Sequence, residues 1–128
     1  MEPHGYVELS WHDQLLTVIA NESFNCEGIE QGVAQSVAAI EHRACDEFVR
    51  LEVLGEQVMT TRQGIELITA HYRWCLQHGA KAIAVVSPNA SMFGHLFESL
   101  SVEPRFGIFK NQQQALVWLE QHLSTPSA

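Results

Sequence analysis

The sequence predicts an α/β fold of order ββαβαβαβα, with an opening β-hairpin, about four helices and a mixed, largely parallel sheet. Three observations predict it. AIAVV, from Ala82 to Val86, is a continuous apolar run bounded by His78-Gly79 and Ser87-Pro88-Asn89, the pattern of a central strand covered on both faces. Two longer segments, 27–41 and 61–78, repeat apolar residues at three- and four-residue intervals, as helices with one buried stripe do. Strand and helix then alternate to the end of the chain, which implies right-handed crossovers and parallel pairing.

Tyr6 to Trp11 and Gln14 to Ala20 are rich in strand-favouring residues, and His12-Asp13 between them suits a tight turn. Asn25 precedes a helix from about Glu27 to Glu41, whose stripe is Ile29, Val33, Val37 and Ile40. Glu47 to Leu54 alternates imperfectly: Phe48, Leu51, Val53 and Leu54 read as the buried side, with Arg50 and Glu52 between them. Gly55 ends that strand. The helix from Thr61 to His78 places Ile65, Ile68, Tyr72 and Cys75 on one side, and Gly79 supplies the residue favoured just past a helix end. A short helix through Met92, Leu96, Phe97 and Leu100, a strand around Arg105 to Phe109, and a last helix from about Gln112 to Leu123 complete the order.

A chain of 128 residues fits a single domain, 1–128, and can bury about two thirds of the surface of its unfolded form. The polar, Pro-containing ends, 1–5 and 124–128, are expected to fray. Seven Lys and Arg against fifteen Asp and Glu give a formal charge of -8, which repels phosphate backbones and anionic lipid, so nucleic acid is not an expected partner. The apolar runs fall short of the roughly 20 residues that a membrane helix needs, and the N-terminus lacks the basic-then-apolar order of a signal peptide. A cytoplasmic location is the expectation. Three cysteines, Cys26, Cys45 and Cys75, with no CxxC spacing, support neither a disulfide framework nor a zinc knuckle. Neither GxGxxG nor GxxxxGK[ST] occurs, which argues against a Rossmann dehydrogenase or a P-loop enzyme.

The element order, the strand ending AIAVVSPN, the tail FGIFKNQQQALVWLEQHL and the position of MTTRQG before the long helix resemble the STAS domain of anti-sigma-factor antagonists, and more closely its SpoIIAA-like relatives among small uncharacterised bacterial proteins. The resemblance covers nearly the whole chain. It implies a non-enzymatic regulatory or protein-binding domain without a cofactor. In antagonists of that type an Asp-Ser-Ser-Gly or Asp-Ser-Thr-Gly segment starts the long helix, and one hydroxyl is phosphorylated to break a partner complex. The corresponding segment here is Met59-Thr60-Thr61-Arg62-Gln63-Gly64, with Met59 in place of the acidic residue and the glycine displaced.

Thr60 or Thr61 can serve as the helix cap, the plainer reading, or can carry a phosphate at the positive end of the helix dipole with Arg62 beside it. Ser87 and Asn89, in the loop after the central strand, are expected to lie nearby, because loops leaving the same ends of parallel strands meet. His71, Cys75 and His78 share one side of the long helix at a spacing that can present ligands to zinc or copper. A buried thiol with one or both histidines at the surface is the preferred reading, so no metal is assigned. His12-Asp13 lacks a third group to orient a catalytic base, and no basic cluster activates Cys26 or Cys45.

Leu67 and Trp74 beside His71, and Met92, Phe93, Leu96, Phe97 and Leu100 on the short helix, are surplus apolar surface. They are consistent with full burial, with a homodimer through a sheet edge or the long helix, or with a protein partner. A further reading is a carrier of a small apolar or anionic ligand in a CRAL-TRIO-like pocket, for which Phe93, Phe97, Phe106 and Phe109 near one end of the sheet are the signal.

Overall fold

A computed structural model describes residues 2–124 of the chain, with the side chain of the last of these left out. The opening hairpin pairs β1 (Val7–His12) with β2 (Leu15–Ala20) in antiparallel register, His12 opposite Leu15. Its turn is therefore Asp13-Gln14, one residue later than the His12-Asp13 turn the sequence suggests. Asp13 takes the left-handed φ of 52° that a two-residue hairpin loop needs, a conformation short polar side chains tolerate. Residues 2–4 are hydrogen-bonded to Asn25: its Nδ2 donates to the Glu2 carbonyl, its Oδ1 accepts from the His4 N–H, and its own N–H donates to the His4 carbonyl. The expected fraying of 125–128 falls outside the described residues.

α1 (Cys26–Arg43) starts at the predicted cap, with Asn25 Oδ1 accepting from the Gly28 N–H at 2.8 Å. After it come β3 (Phe48–Leu54), α2 (Arg62–Gln77), β4 (Ala80–Val86), α3 (Ala90–Leu96), β5 (Phe106–Phe109) and α4 (Gln112–Ser124). The short helix stops at Leu96, and Glu98–Leu100 forms a separate 3₁₀ turn. Gly79 follows α2 at φ 106°, where a Cβ would lie 2.6 Å from the Asp46 carbonyl oxygen. No other residue fits that link into β4.

The five strands lie in sequence order, β1-β2-β3-β4-β5, with every pair after the hairpin parallel. Residues of α1, α2 and α3 pack with Leu16, Val18, Ala20, Ile83 and Val85 on one face. On the other face α4 contributes Ala115 and Leu119 against Val49, Leu51, Ala82 and Ala84. AIAVV is thus buried on both sides, as its unbroken apolar run requires.

β3 corrects the sequence reading. Side chains alternate strictly along a strand, so Phe48, Arg50, Glu52 and Leu54 face α1 and α2, while Val49, Leu51 and Val53 face α4. Arg50 is 3% exposed and Glu52 7%, an ion pair inside the core rather than a solvated edge. The four phenylalanines also divide. Phe93, Phe97 and Phe106 cluster with Tyr72 at ring distances of 5.7 to 6.2 Å, whereas Phe109 stacks with Trp118 on the opposite face. Most of the surplus apolar surface on the short helix is core: Phe93, Phe97 and Leu100 are buried, and Leu96 alone of the large hydrophobic residues there is well exposed.

Removing one partner of the buried pair strands a charge, so Glu52→Ala is expected to cost about 3–5 kcal/mol in urea unfolding. The double variant Arg50→Met/Glu52→Met removes both charges and is expected to be more stable than Glu52→Ala alone. A double variant as unstable as the single one would show that the pair is not the source of the cost.

Candidate functional site

Three loops leave the C-terminal ends of the parallel strands β2, β3 and β4 and meet at that end of the sheet. The Phe24 N–H donates to the Met59 carbonyl at 2.8 Å, the Ser23 hydroxyl to the Gln57 carbonyl at 3.1 Å, and Asn89 Nδ2 to the Glu56 carbonyl at 3.3 Å. The start of α2 sits at this junction. Thr61 is its N-cap, with φ -79° and ψ 167°, and Thr61 Oγ1 accepts from the Gly64 N–H at 3.1 Å. Cys26, the first residue of α1, brings its thiol within 3.6 Å of the same hydroxyl.

The five residues singled out in the sequence have different surroundings. Thr61 and Arg62 are exposed, and no acidic side chain occupies the first turn of α2. Thr60 turns inward: its Oγ1 is buried without a protein partner, against a Gly64 whose added Cβ would collide with it. Ser87 is fully buried, its Oγ accepting from the Asn89 N–H at 3.0 Å, so it closes a turn and offers nothing to a ligand. Asn89 caps no helix with its side chain and instead joins two loops. Of the five, Thr61 and Arg62 are the ones that stand exposed at the start of α2 beside its first N–H groups.

A second constellation lies beneath the helices. Arg50 extends from β3 between α1 and α2, and its guanidinium N–H groups find acceptors on every side. Nε donates to Glu52 Oε2 at 2.7 Å and Nη2 to Glu52 Oε1 at 3.4 Å and Ser36 Oγ at 3.5 Å. Nη1 donates to His71 Nε2 at 2.6 Å and Cys75 Sγ at 3.5 Å. The Tyr72 ring lies 5.4 Å from the guanidinium carbon, a cation–π contact.

This arrangement fixes the histidine's protonation. A guanidinium only donates, so Nε2 must accept and the single proton sits on Nδ1. Burial, and then the Arg50 charge, lower the His71 pKa to about 3. Burial also pushes the Cys75 thiol and the Tyr72 hydroxyl upward, so neither ionises near neutrality. Burial alone would lower the Arg50 pKa, but the Glu52 carboxylate more than reverses this and the guanidinium stays charged.

His71 and Cys75 are therefore committed to Arg50. His78 lies at the surface, stacked on Trp74 at 4.2 Å with Nδ1 at 2.7 Å from the Trp74 carbonyl oxygen. Among the described residues no group of three His, Cys, Asp or Glu side chains is placed to hold a metal ion. The sequence reading missed Arg50, Glu52, Ser36 and Tyr72 as one group. The available signal was charge at every second position between Phe48 and Leu54, which strict strand alternation puts on the same face as those two.

Beside this network, between α1, α2, α3 and the sheet, lies a cavity of about 60 Å³. Its lining is mostly apolar, with Thr60, His71, Arg50, Glu52 and Tyr72 among the polar contributors. Three buried side-chain polar atoms have no partner among the described residues, and two of them, His71 Nδ1 and Thr60 Oγ1, belong to residues of this lining.

The depressed His71 pKa sets a pH dependence. The unfolded chain takes up a proton near pH 6.5 that the folded chain refuses down to about pH 3, so stability is full above 6.5 and falls as pH drops. Between pH 7 and pH 5 this one group is expected to cost about 2 kcal/mol. His71→Gln, which keeps an acceptor for Arg50, should remove that part of the slope in urea unfolding at the two pH values. An unchanged slope would contradict the assigned proton.

No protein-family model and no curated protein matches the chain. Among solved structures it is similar to an uncharacterised protein of the DUF3478 family with a SpoIIAA-like fold from Shewanella loihica PV-4, with a TM-score of 0.62, 17% identity and coverage of 93% of this chain and 96% of that one. It is also similar to the Bacillus cell fate determinant SpoIIAA in its phosphorylated form, with a TM-score of 0.59, 14% identity and coverage of 88% and 98%. No helix among the described residues is long and apolar enough to cross a membrane. With β1 and β2 antiparallel, the remaining pairs parallel and the order ββαβαβαβα, the chain has a SpoIIAA-like α/β fold.

Proposed function

We propose that the chain is a non-enzymatic regulatory domain that acts through protein contacts and is controlled by phosphorylation of Thr61. The observation that carries this reading is the state of that residue: an exposed hydroxyl capping α2, followed by Arg62, with no carboxylate in the first turn of the helix. A phosphate there meets the positive end of the helix dipole, the free N–H groups of the first turn and an adjacent guanidinium. Thr60, with its hydroxyl sealed under Gly64, is not the modified residue in this proposal. The similar Bacillus protein is described in a phosphorylated form, which supports the reading by fold alone. Three free cysteines and the kinase chemistry it requires suit a cytoplasmic setting.

Two side chains of catalytic type are engaged in the core, which supports the non-enzymatic reading. Cys75 and His71 are buried against Arg50, and burial raises the thiol pKa rather than activating it.

The test is the intact mass of the protein purified from its own host. A gain of about 80 Da that maps to Thr61, persists in Thr60→Val and vanishes in Thr61→Val is the expected result. A chain that carries no phosphate under any growth condition, or one modified at Thr60, overturns the proposal. Independently, Thr61→Ala should lose about 1 kcal/mol of stability as a missing cap, whereas Thr61→Asp keeps a capping oxygen and should lose less. Thermal unfolding of the two variants checks this.

A further inference from the structure

We infer that the cavity between the helix layer and the sheet is a binding site for a small, neutral, mainly apolar molecule carrying one hydrogen-bond acceptor, such as a ketone, aldehyde or ester oxygen. This site is separate from Thr61, which is exposed and does not line it.

Size comes first. A single water needs about 10–15 Å³ of such space, and this cavity has about 60 Å³. A few waters, or one organic molecule smaller than benzene, fit. Each ordered water needs two to four polar partners, and walls built largely from Ile29, Val33, Ile65, Ile68 and Phe93 offer few. An apolar occupant suits them better.

The polar contributors then define the occupant's single polar group. His71 is 5% exposed, and its Nδ1 holds a proton because Nε2 accepts from Arg50. That N–H has no partner among the described residues, and an unmet buried donor costs about 1–3 kcal/mol. Thr60, also on the lining, has a buried hydroxyl without a partner among the described residues. An acceptor on the ligand relieves one of these.

Charge selects neutrality. Arg50 is already paired with Glu52 in two contacts and His71 is uncharged, so the lining carries no net charge with which to repay the desolvation of an anion. The apolar branch of the carrier reading is favoured over the anionic one. Access is available beside Met59 and Leu96, both on the lining and 48% and 41% exposed.

The experiment titrates the isotopically labelled full-length protein with acetone, a ketone of the size the cavity admits, as the probe, and with the isosteric acetate as the charged comparison, while recording amide and imidazole nitrogen NMR spectra. Saturable shifts are expected at cavity residues of α1 and α2 and at the His71 ring nitrogens, with acetate about tenfold weaker or worse. Ile68→Phe places a ring against the cavity and should weaken ketone binding by about tenfold or more. Gly32→Ala adds a methyl at the wall where its Cβ would lie 3.6 Å from Val7, an ordinary contact, so this variant folds and should raise the melting temperature while weakening binding. If Ile68→Phe does not fold, Gly32→Ala decides. The inference is overturned by the absence of saturable shifts up to the highest acetone concentration that leaves the protein folded, by equal binding of acetate, by shifts confined to residues outside the cavity, or by undiminished binding in the folded variants.

Discussion

A guanidinium stays charged at any pH the protein meets, so placing Arg50 in the middle of a central strand commits the surrounding structure to neutralising it. Glu52, two residues along the same strand and on the same face, supplies the opposite charge at 2.7 Å. One carboxylate cannot satisfy all the N–H donors. The remainder are met by Ser36 from α1 and by His71 and Cys75 from α2, so a strand, two helices and one ion pair become mutually dependent. Ser36 can take this role because its own hydroxyl proton goes back to the Gly32 carbonyl at 2.8 Å, leaving its lone pairs free.

Such a pair is rarely the most stable filling for a core, since apolar side chains of similar volume avoid the cost of desolvating two ions. Its effect here is positional. A helix shift that broke the contact to Nη1 would leave both a charged donor and the His71 acceptor unmet. The same commitment holds His71 neutral and sends its proton to Nδ1. The ion pair therefore determines the chemistry of the cavity wall as well as the seating of the helices.

The features legible in the sequence are those governed by short-range rules. Asn25 before α1 and Thr61 before α2 are each fixed by backbone groups within a few residues, Gly79 after α2 is marked by its own positive φ, and the apolar run of β4 reports burial on both faces directly. β3 misled for an equally physical reason. A hydropathy pattern treats charge as exposed, so Arg50 and Glu52 masked an alternation that Phe48 and Leu54 begin and end; burial of the pair depends on partners 14 and 21 residues away. The Phe109 side chain was grouped with Phe106 by proximity in the chain, although odd spacing along a strand sends them to opposite faces. Likewise, His71, Cys75 and His78 share a helix side in projection, yet the first two point at a cation they neither compete with nor replace, and the third rests on Trp74.

Thr60 and Thr61 show most clearly what sequence leaves undecided. They are adjacent and chemically identical, and either can be aligned with a phosphorylated position. The fold separates them through Gly64. Thr61 turns its oxygen to the Gly64 N–H and becomes the cap, which leaves its side chain at the surface; Thr60, one residue earlier, buries its hydroxyl in the space that only a glycine leaves open beside it. A side chain at position 64 would collide with the Thr60 hydroxyl and push the preceding loop outward, taking with it the Met59 carbonyl that holds Phe24. Gly64 thus serves two functions at once, presenting its N–H to the exposed threonine and making room for the buried one, and the division of labour between the surface site and the cavity rests on that single missing Cβ.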